Sequence, residues 1–155
     1  MKDTLSELLE ESIRVELNAG KLYRLYSEIF PEDKDFWMRI SMEEMNHASL
    51  LKSARQFLKL GKLPEKSVHP DIETLKGMNA LITSRMDEFR SKKPGMLEAY
   101  AFAQELESSA AEEHFQAIMS GQEEDRVLEI FRKLAGADLD HAGRIGALRD
   151  MRTGA

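Results

Sequence analysis

The chain has 155 residues, 42% hydrophobic and 32% charged, the size and balance of one domain with a real core, so residues 1–155 are read as a single unit. Its 22 basic and 28 acidic residues give a formal charge of −6, so the cationic excess that drives binding to nucleic acid or anionic lipid is missing and neither partner is expected. Cysteine is absent, which excludes disulfides, thiolate zinc sites, iron–sulfur clusters and cysteine nucleophiles and leaves His, Asp and Glu to hold any metal.

The start, Met1-Lys2-Asp3-Thr4-Leu5-Ser6-Glu7, carries acids where a signal peptide needs an apolar core, and no later stretch approaches the ~20 apolar residues of a membrane span. The expected compartment is the cytoplasm. From about Thr4 to Glu28, Leu5, Leu8, Leu9, Ile13, Leu17, Tyr23 and Tyr26 recur at the three-and-four spacing of a helix with one buried face. Phe30-Pro31-Glu32-Asp33 ends it. A second helical run, about Lys34 to Leu60, carries Trp37, Ile40, Leu51 and Ala54, with Gly61 as its stop, and the two runs make a hairpin.

Gly61 to Pro70 reads as extended, and Asp71 to about Arg90 regains a helical pattern through Leu75, Met78, Ile82 and Met86. Pro94-Gly95 punctuates before a third long helix, about Met96 to Ser120, and Gly121-Gln122 turns it into a fourth, about Glu123 to Met151. The expected fold is all-α: a four-helix bundle of two antiparallel helical hairpins, joined by a long crossover that contains a shorter helix.

Each long helix carries ionisable groups where an apolar residue is expected. Glu16 shares a face with Leu9, Ile13, Gly20 and Tyr23; Glu44 and His47 share one with Trp37, Ile40 and Leu51. Glu107 lies with Tyr100, Ala103 and Ala110, while Glu105 turns outward; Asp138 and His141 lie with Leu134, Ile145 and Leu148. Glu10-Glu11 and Glu112-Glu113 read as exposed surface. Glu16 and Glu44 are centred on Phe30-Pro31, and Glu107 and Asp138 beside Gly121-Gln122, so each pair sits at one level, roughly 20–25 Å from its turn. Folded as a bundle, four carboxylates and two imidazoles converge.

Buried, unpaired carboxylates cost several kcal/mol each in lost hydration and would neutralise rather than stay charged. A pair of divalent cations removes that penalty. Oxygen and imidazole ligands without thiolates suit iron or manganese, with zinc and other first-row ions allowed by affinity alone.

Met42-Glu43-Glu44-Met45-Asn46-His47-Ala48 and Asp138-Leu139-Asp140-His141-Ala142 each place a carboxylate three residues before a histidine, and Glu16 is followed seven residues on by Tyr23. With Glu107, these motifs resemble those of the ferritin-like di-iron carboxylate proteins, most closely the rubrerythrin-like branch, over the four long helices and the crossover. The resemblance implies two iron ions held by Glu16, Glu44, His47, Glu107, Asp138 and His141. It also implies that they react with hydrogen peroxide or oxygen while cycling between ferrous and ferric states, an oxidoreductase of the peroxidase or ferroxidase type.

The chain departs from the family in three places. Asp138 stands where glutamate is usual, the extra third-helix carboxylate of rubrerythrins proper falls at Ala110, and there is no rubredoxin-type iron domain, so electrons would come from a separate donor protein. An iron-binding or buffering protein without dedicated turnover, and a structural bundle with an empty or non-redox site, are the other readings of these residues. The short stretch after the fourth helix leaves no room for the extra helix of large ferritin cages, and a homodimer is expected. Tyr23 and Tyr100 read as core aromatics whose hydroxyls need partners, either able to hydrogen-bond a ligand. Met42, Met45, Met78, Met86, Met96 and Met119 read as core or interface filling, His69 as a loop residue, and His114 as a bundle-end or interface residue.

Overall fold

The computed structural model describes residues 2–59, 72–119 and 126–154, and among them there are five α-helices and no strand. Helix α1 spans Lys2–Ile29. It stops because Pro31 has no N–H to continue the ladder, and the proline ring instead opens a 3-10 turn over Pro31–Asp33. The N–H of Phe30 donates to the Tyr26 carbonyl at 2.8 Å and that of Asp33 to the Phe30 carbonyl at 3.0 Å, which satisfies the chain through the corner.

Helix α2, Lys34–Lys59, returns antiparallel to α1. The Ser41 hydroxyl donates to the Gly20 carbonyl at 2.7 Å and Arg55 pairs with Glu10 at 2.6 Å, so numbers rise on one helix as they fall on the other. Helix α3, Ile72–Ser91, runs parallel to α1: Asn79 bonds to Glu11 and Asn18, and Phe89 packs on Tyr26. Helix α4, Met96–Met119, follows Pro94-Gly95, with the Ala99 N–H donating to the Gly95 carbonyl at 3.0 Å.

Helix α5, Arg126–Thr153, is antiparallel both to α4, where the Gln104 amide donates to the Ala142 carbonyl, and to α2, where Glu43 pairs with Arg144 and Asp33, in the turn just before α2, pairs with Arg152. The four long helices form a helical bundle of antiparallel pairs, with α3 laid against α1. Observed bounds lie within a few residues of those expected from periodicity. The Gly61–Pro70 stretch and the Gly121-Gln122 turn lie outside the described residues.

Two apolar clusters fill the bundle. The larger joins Tyr23, Tyr26, Phe30, Trp37, Ile40, Tyr100 and Ile145 to Leu75, Ile82, Met86 and Phe89 of α3. The smaller holds Leu9, Ile13, Ala48, Leu51, Ala54 and Leu134. Along α2 and α5 these two groups lie on either side of Glu44 and Asp138, so the polar layer is walled by hydrocarbon above and below. One further carboxylate, Asp33, is buried at the α1–α2 corner, where it accepts from the Tyr100 hydroxyl at 2.5 Å and pairs with Arg152.

One sequence expectation is corrected here and one is narrowed. Glu11 is buried, not surface, because α3 covers that side of α1: the Asn79 amide donates to Glu11 Oε2 at 2.9 Å, and Arg14 to Oε1 at 3.0 Å. Met78 and Met86 are core residues, whereas Met42 is 63% exposed and Met45 37% exposed, and neither belongs to the core.

The fully buried Trp37 touches Tyr23, Tyr26, Phe36 and Tyr100, so its removal leaves a large void. Trp37→Ala is expected to destabilise the fold by about 3–5 kcal/mol, and Leu139→Ala, on an exposed face, by no more than about 0.5 kcal/mol. Urea unfolding followed by circular dichroism measures both; comparable losses would contradict this packing.

Candidate metal centre

Helical spacing sends Glu16 from α1, Glu44 and His47 from α2, Glu107 from α4, and Asp138 and His141 from α5 into one layer. All six residues singled out in the sequence are brought together. The four carboxylates and His141 are 2% exposed or less, while the His47 side chain retains 14% exposure and marks the layer's most open edge.

Their donor atoms fall into two groups. Ligand atoms of Glu16, Glu44, His47 and Asp138 lie within 4.8 Å of one another, as do those of Glu44, Glu107, Asp138 and His141. Glu44 and Asp138 belong to both, so the one-methylene-shorter side chain of Asp138 still reaches each group. His47 Nδ1 stands 3.5 Å from Glu44 Oε2 and 3.7 Å from Glu16 Oε2. His141 Nδ1 is 2.8 Å from Glu44 Oε1 and 3.5 Å from Glu107 Oε1. The two imidazoles stack with centroids 5.4 Å apart and planes 21° from parallel.

A second ring of contacts orients these groups. Both tyrosines are core aromatics whose hydroxyls have partners: Tyr23 donates to Glu107 Oε1 at 2.6 Å, and Tyr100 is engaged instead by Asp33. Sequence reasoning missed Glu43, which takes Arg144 in a two-pronged pair at 2.9 and 3.1 Å and lies 3.5 Å from His141 Nε2. The signal was available: Glu43 adjoins Glu44, and Arg144 stands one helical turn after His141. His69 and the side chain of His114 lie outside the described residues.

The electrostatics are those of a site short of positive charge. Burial, followed by the nearby Glu107 and Glu16 carboxylates, pushes the Glu44 carboxyl well above its ordinary range. For His141 burial opposes protonation, but the Glu107, Glu43 and Asp138 carboxylates outweigh it and raise the imidazole. Burial and the neighbouring Glu107 and Glu44 likewise raise Tyr23, whose phenol stays protonated as a donor. Glu43, gripped by Arg144, is held low.

The donor set fits a pair of divalent cations. Each group offers three carboxylates and one histidine, two carboxylates are common to both, and the buried His47 Nδ1 has no hydrogen-bond partner among the described residues. Cations there would let every carboxylate ionise, and would use the two imidazole nitrogens in their neutral form.

Because Glu44 holds its proton more tightly folded than unfolded, its favourable contribution is full below the ordinary carboxylate range and is lost as pH rises through its folded value. Metal-free protein should therefore lose stability over that rise relative to Glu44→Gln, which cannot ionise. Thermal unfolding of both proteins across the pH series measures the difference; parallel curves would mean Glu44 is not strained by burial. Comparisons with protein-family models, with curated proteins and with solved structures find no match to this chain.

Proposed function

We propose that this chain is a ferritin-like di-iron carboxylate protein of the rubrerythrin-like kind, an oxidoreductase that reduces hydrogen peroxide or oxygen with electrons from a separate donor protein. The observation that carries this reading is the pair of buried ligand groups sharing Glu44 and Asp138. The antiparallel pairing of α1 with α2 and of α4 with α5, which brings a carboxylate and a Glu-x-x-His or Asp-x-x-His motif to one level from each pair, also supports it.

When bound, two irons would supply one electron each to the oxidant and return to the ferrous state by reduction. The chain's own part is to hold and shield them. Glu44 and Asp138 would hold both ions, Glu16 and His47 one, and Glu107 and His141 the other. Tyr23 fixes one oxygen of Glu107, and the Glu43–Arg144 pair stands behind His141. Ala110 adds no oxygen on α4. The apolar clusters on either side exclude bulk water, which strengthens every charge interaction within the layer. The edge at His47, beside exposed Met45 and Asn46, is the least covered side of the layer and would be where a small oxidant enters.

Anaerobic reconstitution with ferrous iron is expected to give about two irons per chain, and markedly less in Glu44→Ala and His141→Ala. Chelation should lower the unfolding temperature, since an ion bound only by the folded state stabilises it. Catalytic peroxide consumption with a chemical reductant supports the enzyme reading. One round of iron oxidation without turnover makes the chain an iron buffer instead, and equal, negligible iron in all three proteins removes the di-iron reading.

A further inference from the structure

Beyond the six candidate ligands, one further set of ionisable side chains stands against the carboxylate layer, on the seam between α2 and α5. Glu43 of α2 and Asp140 of α5 share the Arg144 guanidinium. Its Nη1 donates to Glu43 Oε1 at 2.9 Å and to Asp140 Oδ2 at 3.2 Å, and its Nη2 donates to Glu43 Oε2 at 3.1 Å. One arginine thus bridges two carboxylates that come from the two helices flanking the seam.

The bridge stands directly outside the layer. Glu43 Oε1, an oxygen that takes Arg144, lies 3.5 Å from His141 Nε2. That nitrogen belongs to a fully buried side chain and has no hydrogen-bond partner among the described residues, so an unpaired ligand-type atom lies between the layer and the bridge. The antiparallel register that pairs Glu44 with His141 and Glu43 with Arg144 brings Asp140 level with His47. Side-chain exposure falls along this route from 63% at Asp140 to 35% at Glu43, 14% at His47 and 1% at His141. The seam therefore runs from water to the ligands in graded steps.

The charges on the bridge do not balance. Two carboxylates against one guanidinium leave one negative charge unmatched, and four more carboxylates lie behind it, so a cation drawn to the layer meets Glu43 and Asp140 first. By contrast, Glu10–Arg55 and Arg85–Glu88 each match one acid to one base, which leaves nothing for a second cation. A divalent ion brings two charges where Arg144 brings one, and so can take both carboxylates from it. The Arg144 side chain retains 28% exposure and can turn out to water, where its charge is solvated.

We propose that Glu43 and Asp140 are the entry site for divalent metal ions, and that Arg144 is the resident cation which an arriving ion displaces. The proposal rests on the di-iron reading above and adds to it the route by which the centre is filled. Glu43 and Asp140 capture the ion as Arg144 turns outward. Glu16 and His47, on the more open side of the layer, take the ion from them, and the guanidinium then closes over the two carboxylates again. No covalent bond forms and no electron moves; one cation exchanges for another at two carboxylates.

Cobalt(II) alone is the probe, because its visible absorption changes when carboxylate and imidazole ligands replace water. Stopped-flow mixing with metal-free protein gives the rate of uptake, and the final absorption gives the amount. Asp140 touches none of the six ligands in a recorded contact, and Asp140→Asn should slow uptake about three-fold or more at low salt with the final amount unchanged. Asp140→Lys, which fixes a cation at the mouth, should slow it further. Arg144→Gln should speed both uptake and loss to a chelator, since nothing closes the mouth. Glu105→Gln removes the same charge from an exposed position on α4 and should leave the rate close to that of the unmodified chain. Circular dichroism confirms that each variant is folded.

Uptake that is indifferent to Asp140, that slows equally in Glu105→Gln, or that is no faster in Arg144→Gln overturns the entry route and leaves the two-metal centre standing. If the unmodified chain takes up no cobalt, the centre and the route fall together.

Discussion

The constraint on which the rest of the structure depends is the cost of placing four carboxylates in one dry layer. Each would lose several kcal/mol of hydration if ionised there alone. The protein spreads that cost in three ways. Glu44 is pushed toward its neutral form, His141 is held among acids that favour its charge, and Tyr23 donates to Glu107. None of these satisfies the whole set, and two cations would. A helix bundle optimised only for stability would place leucine or alanine at such positions. Retaining ionisable groups there instead is what the proposed metal site would account for, because perturbed, buried ionisable groups cluster at functional sites.

The aromatic cluster follows from the same layer. Charged groups in mid-bundle need rigid walls, and Trp37, Tyr23, Tyr26 and Tyr100 supply large buried area with few rotatable bonds. Their hydroxyls must find partners inside, and they find three different ones: a layer carboxylate, a peptide carbonyl and the corner carboxylate Asp33. Packing and polarity are thus solved with one set of residues. Arg152 closes the far end by pairing with Asp33, which ties the last turn of α5 to the corner between α1 and α2.

Much of this was legible along the chain. Helical period marked all five helices, because each buries a continuous stripe, and proline or glycine stood at the breaks that the structure describes. The six candidate ligands were legible for the same reason: a polar residue on an apolar stripe is conspicuous, and equal distances from the turns placed Glu16 opposite Glu44 and Glu107 opposite Asp138. Glu11, Asp33 and Glu43 were harder to read. Glu11 lies on the side of α1 away from the layer and becomes buried only because α3 folds over it. Asp33 is local to a turn, where an acid is unremarkable until Tyr100 and Arg152 arrive from far along the chain. Glu43 is partly exposed, and its role depends on Arg144 from another helix. Local pattern reports which face is buried against a helix's main neighbours, not which long-range partner a polar residue will find.

The seam between α1 and α3 holds a consequence of its own. Along it, one asparagine makes three bonds to α1: the Asn79 amide donates to both the carbonyl and the carboxylate of Glu11, and its oxygen accepts from Asn18. Hydrophobic contacts alone would let α3 slide by a turn, about 5.4 Å, with little loss, since one greasy ridge fits much like the next. Asn79 favours one setting, for a slip of a turn would break all three of its bonds at once. It works as a detent, giving α3 a single vernier mark against α1, and the aromatic wall that α3 helps to build with Met86 and Phe89 inherits that alignment.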